Sequence, residues 1–143
     1  MKLILYTDAS LHIPSYSFGY GILIAKEGYN SCITISGSKY FSKGSVEAEV
    51  ESIKIGIQHI EQNNLMYGCS KLLVRNDCSP AIGRVHKELH EWAAKNNFSL
   101  ELLHIKGHIT NSLKLKYIHQ NICHKLAHKA MLDFKNNSNG LPY

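Results

Sequence analysis

The sequence predicts an α/β domain: a mixed five-stranded sheet, with three antiparallel strands and then alternating helices and strands, flanked by helices. Three observations carry that expectation. Short apolar runs rich in strand formers, separated by polar breaks, fill the first part of the chain. From about residue 45 onward, stretches with apolar residues at helical spacing alternate with short apolar runs. The length of 143 residues, 44% hydrophobic and 19% charged with 3 Pro, suits a single domain spanning residues 1–143.

Lys2 to Tyr6 reads as the first strand, broken at Asp8-Ala9-Ser10. Phe18 to Ala25 is the second, and Lys26-Glu27-Gly28-Tyr29-Asn30 is the polar, glycine-containing loop that closes a hairpin. Ser31 to Ser36 alternates with period two and forms the third. Ser45 is expected to cap a helix, with Glu47, Glu49 and Glu51 in its first turns, where the helix dipole favours acids. Val50, Ile53, Ile57 and Ile60 supply its apolar face.

Lys71 to Arg75 is the fourth strand, halted by Asn76-Asp77. Ser79-Pro80 opens a second helix, with proline at a first-turn position where it is tolerated. Ala81, Ile82, Val85, Leu89, Trp92 and Ala93 carry that helix. Phe98 to Ile105 is the fifth strand, ended by Lys106-Gly107-His108. A basic loop from about Ile109 to Tyr117 leads into the last helix, whose apolar arc comprises Ile122, Cys123, Leu126, Ala127 and Ala130. Residues 136–143 read as a flexible tail. The alternation implies right-handed crossovers, and strands one, four and five could then run parallel, with one beside four. The strand order then reverses between them, and ligands of such sheets bind outside the strand ends at that point.

No run approaches the ~20 apolar residues of a membrane span. The apolar N-terminal stretch is too short for a signal peptide. The chain therefore reads as cytoplasmic, and no protein partner can be inferred. The scattered cysteines, Cys32, Cys69, Cys78 and Cys123, read as small buried apolar residues rather than disulfides. The net charge of +5 is unevenly spread, because Leu102 to Leu132 holds no acid but five Lys and five His. That field suits a phosphate-bearing partner, although a solvated lysine-rich helix accounts for it equally well.

Asp8 and Asp77 each close an apolar run, and Glu49 opens the helix packed nearby. Acids at the ends of buried strands are costly unless paired or metal-bound. Singly, each has an ordinary explanation as a turn, a cap or dipole decoration. Jointly, three carboxylates at a switch point suit Mg²⁺ or Mn²⁺.

The set Tyr6-Thr7-Asp8-Ala9-Ser10, Ala48-Glu49, Asn76-Asp77-Cys78 and Ile105-Lys106-Gly107-His108 resembles the type 1 ribonuclease H family. That family carries Y-T-D-G-S, a helix opening A-E or M-E, T-D-S or T-D-C, and V-K-G-H. Asn121-Ile122-Cys123-His124-Lys125-Leu126-Ala127 is similar in shape to its closing N-x-x-x-D-x-L-A pattern. The resemblance spans essentially the whole chain. It implies a ribonuclease H-like fold and an endonuclease that hydrolyses the RNA strand of RNA–DNA hybrids, leaving 5′-phosphates. It further implies two divalent cations, Mg²⁺ or Mn²⁺, held by Asp8, Glu49, Asp77 and a fourth residue. His108 matches the family histidine that assists proton transfer or product release. Ala9, Ser10 and Asn121 would touch nucleic acid, with Lys106, Lys114, Lys116 and Lys125 on phosphates.

Three departures stand out. Ala9 replaces the usual Gly, and the stretch from His108 to His124 is longer than the family's usual connection. The fourth metal position, normally Asp, falls on His124. RuvC-type and Argonaute nucleases of the wider fold use His there. Imidazole is a poorer ligand for hard cations, so a preference for Mn²⁺ is expected. Two other functions remain open: a catalytically weak or inactive nucleic-acid-binding module, or a nuclease of the same fold acting on another nucleic acid. A zinc site at His104/His108 or His124/His128 is disfavoured, because it leaves the three acids unexplained. His128, like His12, His59, His86, His90 and His119, reads as a surface residue.

Overall fold

The computed structural model describes residues 1–106 and 113–139. Its elements, in chain order, are β1 (Lys2–His12), a 3₁₀ turn (Ile13–Ser15), β2 (Ser17–Lys26), β3 (Cys32–Tyr40), α1 (Ser45–Gln62), β4 (Lys71–Asn76), α2 (Ser79–Lys95), β5 (Ser99–His104) and α3 (Leu115–Asn139). The sheet order is β3-β2-β1-β4-β5. The first three strands are antiparallel, while β1, β4 and β5 run parallel. The order reverses between β1 and β4, as expected.

Side-chain alternation along the strands divides the interior into two layers. Leu3 and Leu5 of β1, Ile22 and Ile24 of β2, and Leu72 and Val74 of β4 pack against Ile53, Ile57 and Ile60 of α1 and Ala81, Val85 and Leu89 of α2. Burying each such Leu, Ile or Val contributes about 1.5–3 kcal/mol. On the opposite face, Tyr6 and Leu23 meet Cys123 of α3. Two glycines set the height of α3 above the sheet. A Cβ on Gly19 would collide with the Ala127 carbonyl oxygen and the Met131 amide, and one on Gly21 with the Cys123 carbonyl oxygen. The helix backbone therefore rests directly on β2.

The structure corrects several expected boundaries. β1 does not break at Asp8 but continues to His12, because β2 goes on pairing with it from Asp8↔Gly21 to His12↔Ser17. The ladder satisfies the backbone of this polar segment, so it needs no turn. β3 runs from Cys32 to Tyr40, past its expected end at Ser36. As an edge strand it requires no apolar alternation. Ser45 is the first helical residue rather than the cap; the cap is Gly44, with no side-chain hydrogen bond. Glu49 consequently lies beyond the first turn.

α3 begins at Leu115, inside the expected loop, and continues to Asn139, into the expected tail. The rest of that tail, 140–143, lies outside the described residues. Ile122 falls at the exposed edge of the α3 arc, whereas Cys123 and Ala127 are fully buried. All four cysteines are free, but only Cys123 is buried; Cys32 is exposed, and Cys69 and Cys78 are intermediate. No helix among the described residues is long and apolar enough to cross a membrane.

Candidate metal centre

The pairing of β1 with β4 stops at Tyr6↔Arg75, while its pairing with β2 continues. Asp8 thus sits two residues past the point where β4 leaves the sheet ladder, beside an open crevice. Its parity turns it toward the face carrying α3. Glu49 reaches the crevice from α1, and Asp77 from the residue after β4. One carboxylate oxygen from each of Asp8, Glu49 and Asp77 can be chosen so that all lie within 4.8 Å of one another. No other group of three His, Cys, Asp or Glu side chains converges in this way among the described residues.

The acids are held by named partners. Asp8, 2% exposed, accepts a hydrogen bond from the Ala9 amide at Oδ1 (2.9 Å), and its Oδ2 lies 3.0 Å from His124 Nδ1. Buried Asn76 donates from Nδ2 to Glu49 Oε1 (3.2 Å), Thr7 Oγ1 (2.9 Å) and the Thr7 carbonyl (3.2 Å). Its Oδ1 accepts from the Cys78 amide (2.7 Å), closing an Asx turn around Asp77. Gln120 of α3 donates to the same Thr7 carbonyl at 2.9 Å. The His104 ring nitrogen Nε2 lies 3.1 Å from the Asp77 carbonyl oxygen.

Crowding of charge is the dominant electrostatic fact. Burial, and then the charge of Asp77, hold the Asp8 carboxyl above the ordinary carboxylate range, against the opposing contacts of Glu49 and His124. Glu49 is raised further, by burial first and then by the charges of Asp8 and Asp77. Three carboxylates this close cannot all ionise without a compensating cation. An all-oxygen set with one adjoining imidazole fits a hard divalent ion such as Mg²⁺ or Mn²⁺ better than zinc.

The N-terminal ribonuclease H domain of Rv2228c from Mycobacterium tuberculosis, solved as a fusion with maltose-binding protein, aligns with a TM-score of 0.70. The alignment covers 96% of this chain and 98% of that one, at 12% identity. The chain has the ribonuclease H fold. LC11 ribonuclease H1, isolated from compost by metagenomics, was solved in complex with an RNA/DNA hybrid. It aligns at 0.64 with 15% identity, over 92% of this chain and 97% of that one. Ribonuclease H1 of the halophilic archaeon Halobacterium salinarum aligns at 0.62 with 11% identity, over 93% and 99%. No family model and no curated protein matches the sequence.

Within the ribonuclease H fold, the expected site residues separate into four sets. Asp8, Glu49 and Asp77 converge, and His124 adjoins them through Asp8 with half of its side chain exposed. Ala9 and Ser10 follow Asp8 on β1, both half-buried, and Asn121 is half-buried on α3. Lys106, Lys114 and Lys125 are exposed, while Lys116 is half-buried with its ammonium 5.0 Å from the centroid of the Tyr117 ring. His108 lies outside the described residues. His128 is exposed, its ring parallel to that of His124 with centroids 6.5 Å apart.

Sequence reasoning missed Asn76, Gln120, Gly19 and Gly21 as parts of the site. The Gly-Tyr-Gly of β2 was a usable signal, since isolated glycines in a strand mark close backbone approach. Asn76 had the weaker signal of an amide ending an apolar run.

Proposed function

We propose that this chain is a divalent-metal-dependent endoribonuclease that hydrolyses the RNA strand of RNA–DNA hybrids. The observation that carries the reading is the convergence of Asp8, Glu49 and Asp77 oxygens within 4.8 Å at the switch point of this fold. Asp8, Glu49 and Asp77 would hold the ions, with His124 Nδ1 as a fourth ligand. Two Mg²⁺ or Mn²⁺ ions would supply a nucleophilic water and stabilise the departing 3′ oxygen.

The chain's own contribution is placement. β1 presents Asp8 rigidly, the Asx turn aims Asp77, and Asn76 orients Glu49. Asp8 is buried, while half of the His124 side chain is exposed. The exposed lysines 106, 114 and 125 would contact phosphates, and Ala9, Ser10 and Asn121 would touch the backbone of a bound strand. α2 passes to β5 through three residues, without a basic insertion, so grip on the substrate falls to the acid-free segment. Hybrid recognition through backbone shape and 2′-hydroxyls would make sequence preference slight. The LC11 enzyme, of the same fold and solved with an RNA/DNA hybrid, supports that choice of substrate.

The test is to incubate labelled RNA–DNA hybrid, RNA duplex and DNA duplex with Mg²⁺ or Mn²⁺. Cleavage confined to the RNA of the hybrid is expected. Cleavage of a DNA or RNA duplex instead would assign another substrate, and hybrid binding without cleavage would assign a binding module.

A further inference from the structure

Asn76 touches the neighbourhood of every acid in the cluster. It is fully buried, and both polar atoms of its side chain are hydrogen-bonded. Its Oδ1 accepts from the Cys78 amide, which fixes the turn carrying Asp77. Its Nδ2 donates to Glu49 Oε1 and to both the carbonyl and the hydroxyl of Thr7, the residue preceding Asp8. Two amide hydrogens are thus shared among three acceptors, and one acceptor oxygen serves the turn. The orientation of the amide follows from this set, because a flipped amide would aim Oδ1 at the Glu49 carboxylate and the Thr7 carbonyl.

We infer that Asn76 is a positioning residue for the metal centre, coupling the placement of Asp8, Glu49 and Asp77 through one side chain. This rests on the proposed metal site. In this chain one uncharged amide supplies both an acceptor for the turn and two donor hydrogens for β1 and α1. An Asp would lose both donors and add a fourth negative charge. Residues that orient metal ligands in this way typically change metal affinity by about 10- to 100-fold when altered.

The test is Mn²⁺ affinity of the free protein, read from the electron paramagnetic resonance of unbound Mn²⁺, for wild type, Asn76→Ala and the near-isosteric Asn76→Leu, alongside hybrid cleavage. The expected result is binding weakened about 10- to 100-fold in both variants. Their kcat should fall at low Mn²⁺ and recover as Mn²⁺ is raised, with KM for the hybrid unchanged. Variants that fold with a lowered Tm but bind Mn²⁺ as wild type does would overturn the inference and leave Asn76 a purely structural residue. If neither variant folds, the Asn76 side-chain amide resonances of wild type decide. They should shift along the Mg²⁺-binding isotherm, and unmoved resonances would overturn it. Wild type that binds Mn²⁺ but leaves hybrid intact refutes the cleavage reading alone, whereas wild type that binds no Mn²⁺ refutes both.

Discussion

His124 Nδ1 lies 3.0 Å from Asp8 Oδ2, although 116 positions separate the two residues. The contact exists because α3 rests on β2, with Cys123 over Gly21 and Gly21 paired directly with Asp8. If His124 is the fourth ligand, His124→Ala should lose cleavage while His124→Asp keeps it. Wild type should be more active in Mn²⁺ than in Mg²⁺, and the Asp variant should shift that preference toward Mg²⁺. Rates measured in each metal across the three proteins check this, and wild type equally active in Mg²⁺ alone would count against it.

The raised carboxyls of Asp8 and Glu49 make metal binding and folding pH-dependent. The native state retains protons that the unfolded chain has released, so their contribution to stability is complete below the ordinary carboxylate range of about 4. It is lost as pH rises through the raised folded values. The metal-free protein should therefore melt at a lower temperature at pH 8 than at pH 5 as far as these groups contribute. Cation binding displaces the protons, and affinity should tighten about tenfold per pH unit for each proton released. Calorimetric titration in buffers of different ionisation enthalpy reads that number. A pH-independent affinity would contradict the crowded cluster.

Gly21 offers a test of packing at the same place. Gly21→Ala forces α3 away from the sheet and should cost about 1–3 kcal/mol, with loss of cleavage through displacement of His124. Gly83 is the control, because a Cβ at that position on α2 meets nothing within 4 Å. Gly83→Ala should stabilise by about 0.5–1 kcal/mol and leave cleavage intact. Thermal melts of both variants decide the matter.

Much of this was legible in the sequence because it was written in local pattern. The strand–acid junction at Asp77, the helical spacing around Glu49, and the order of elements all survive translation into structure. What stayed hidden depends on partners distant in sequence. The continuation of β1 through Asp8-Ala9-Ser10 is supplied by β2, not by the propensities of those residues. The polar edge strand β3 buries too little to leave a periodic signal. The bonds of Asn76 to Thr7 and of Gln120 to Thr7 join segments 69 and 113 residues apart, which no local window can see.

The basic segment should act through phosphates. Replacing Lys106, Lys114, Lys116 or Lys125 by Ala should weaken hybrid binding about uniformly across sequences. Each lost phosphate contact should flatten the slope of log affinity against log salt by about 0.7–0.9. Binding titrations at several salt concentrations measure that slope, and an unchanged slope would assign the lysines to a solvated surface.

The central claim is that the three acids form a catalytic metal centre. The most direct measurement is cleavage of a labelled RNA–DNA hybrid by wild type, Asp8→Asn, Glu49→Gln and Asp77→Asn in Mn²⁺, with hybrid affinity measured on the same proteins. The account predicts that wild type cuts the RNA strand to 5′-phosphate products, and that each substitution abolishes cutting while binding persists. Cutting that survives Asp8→Asn would contradict it.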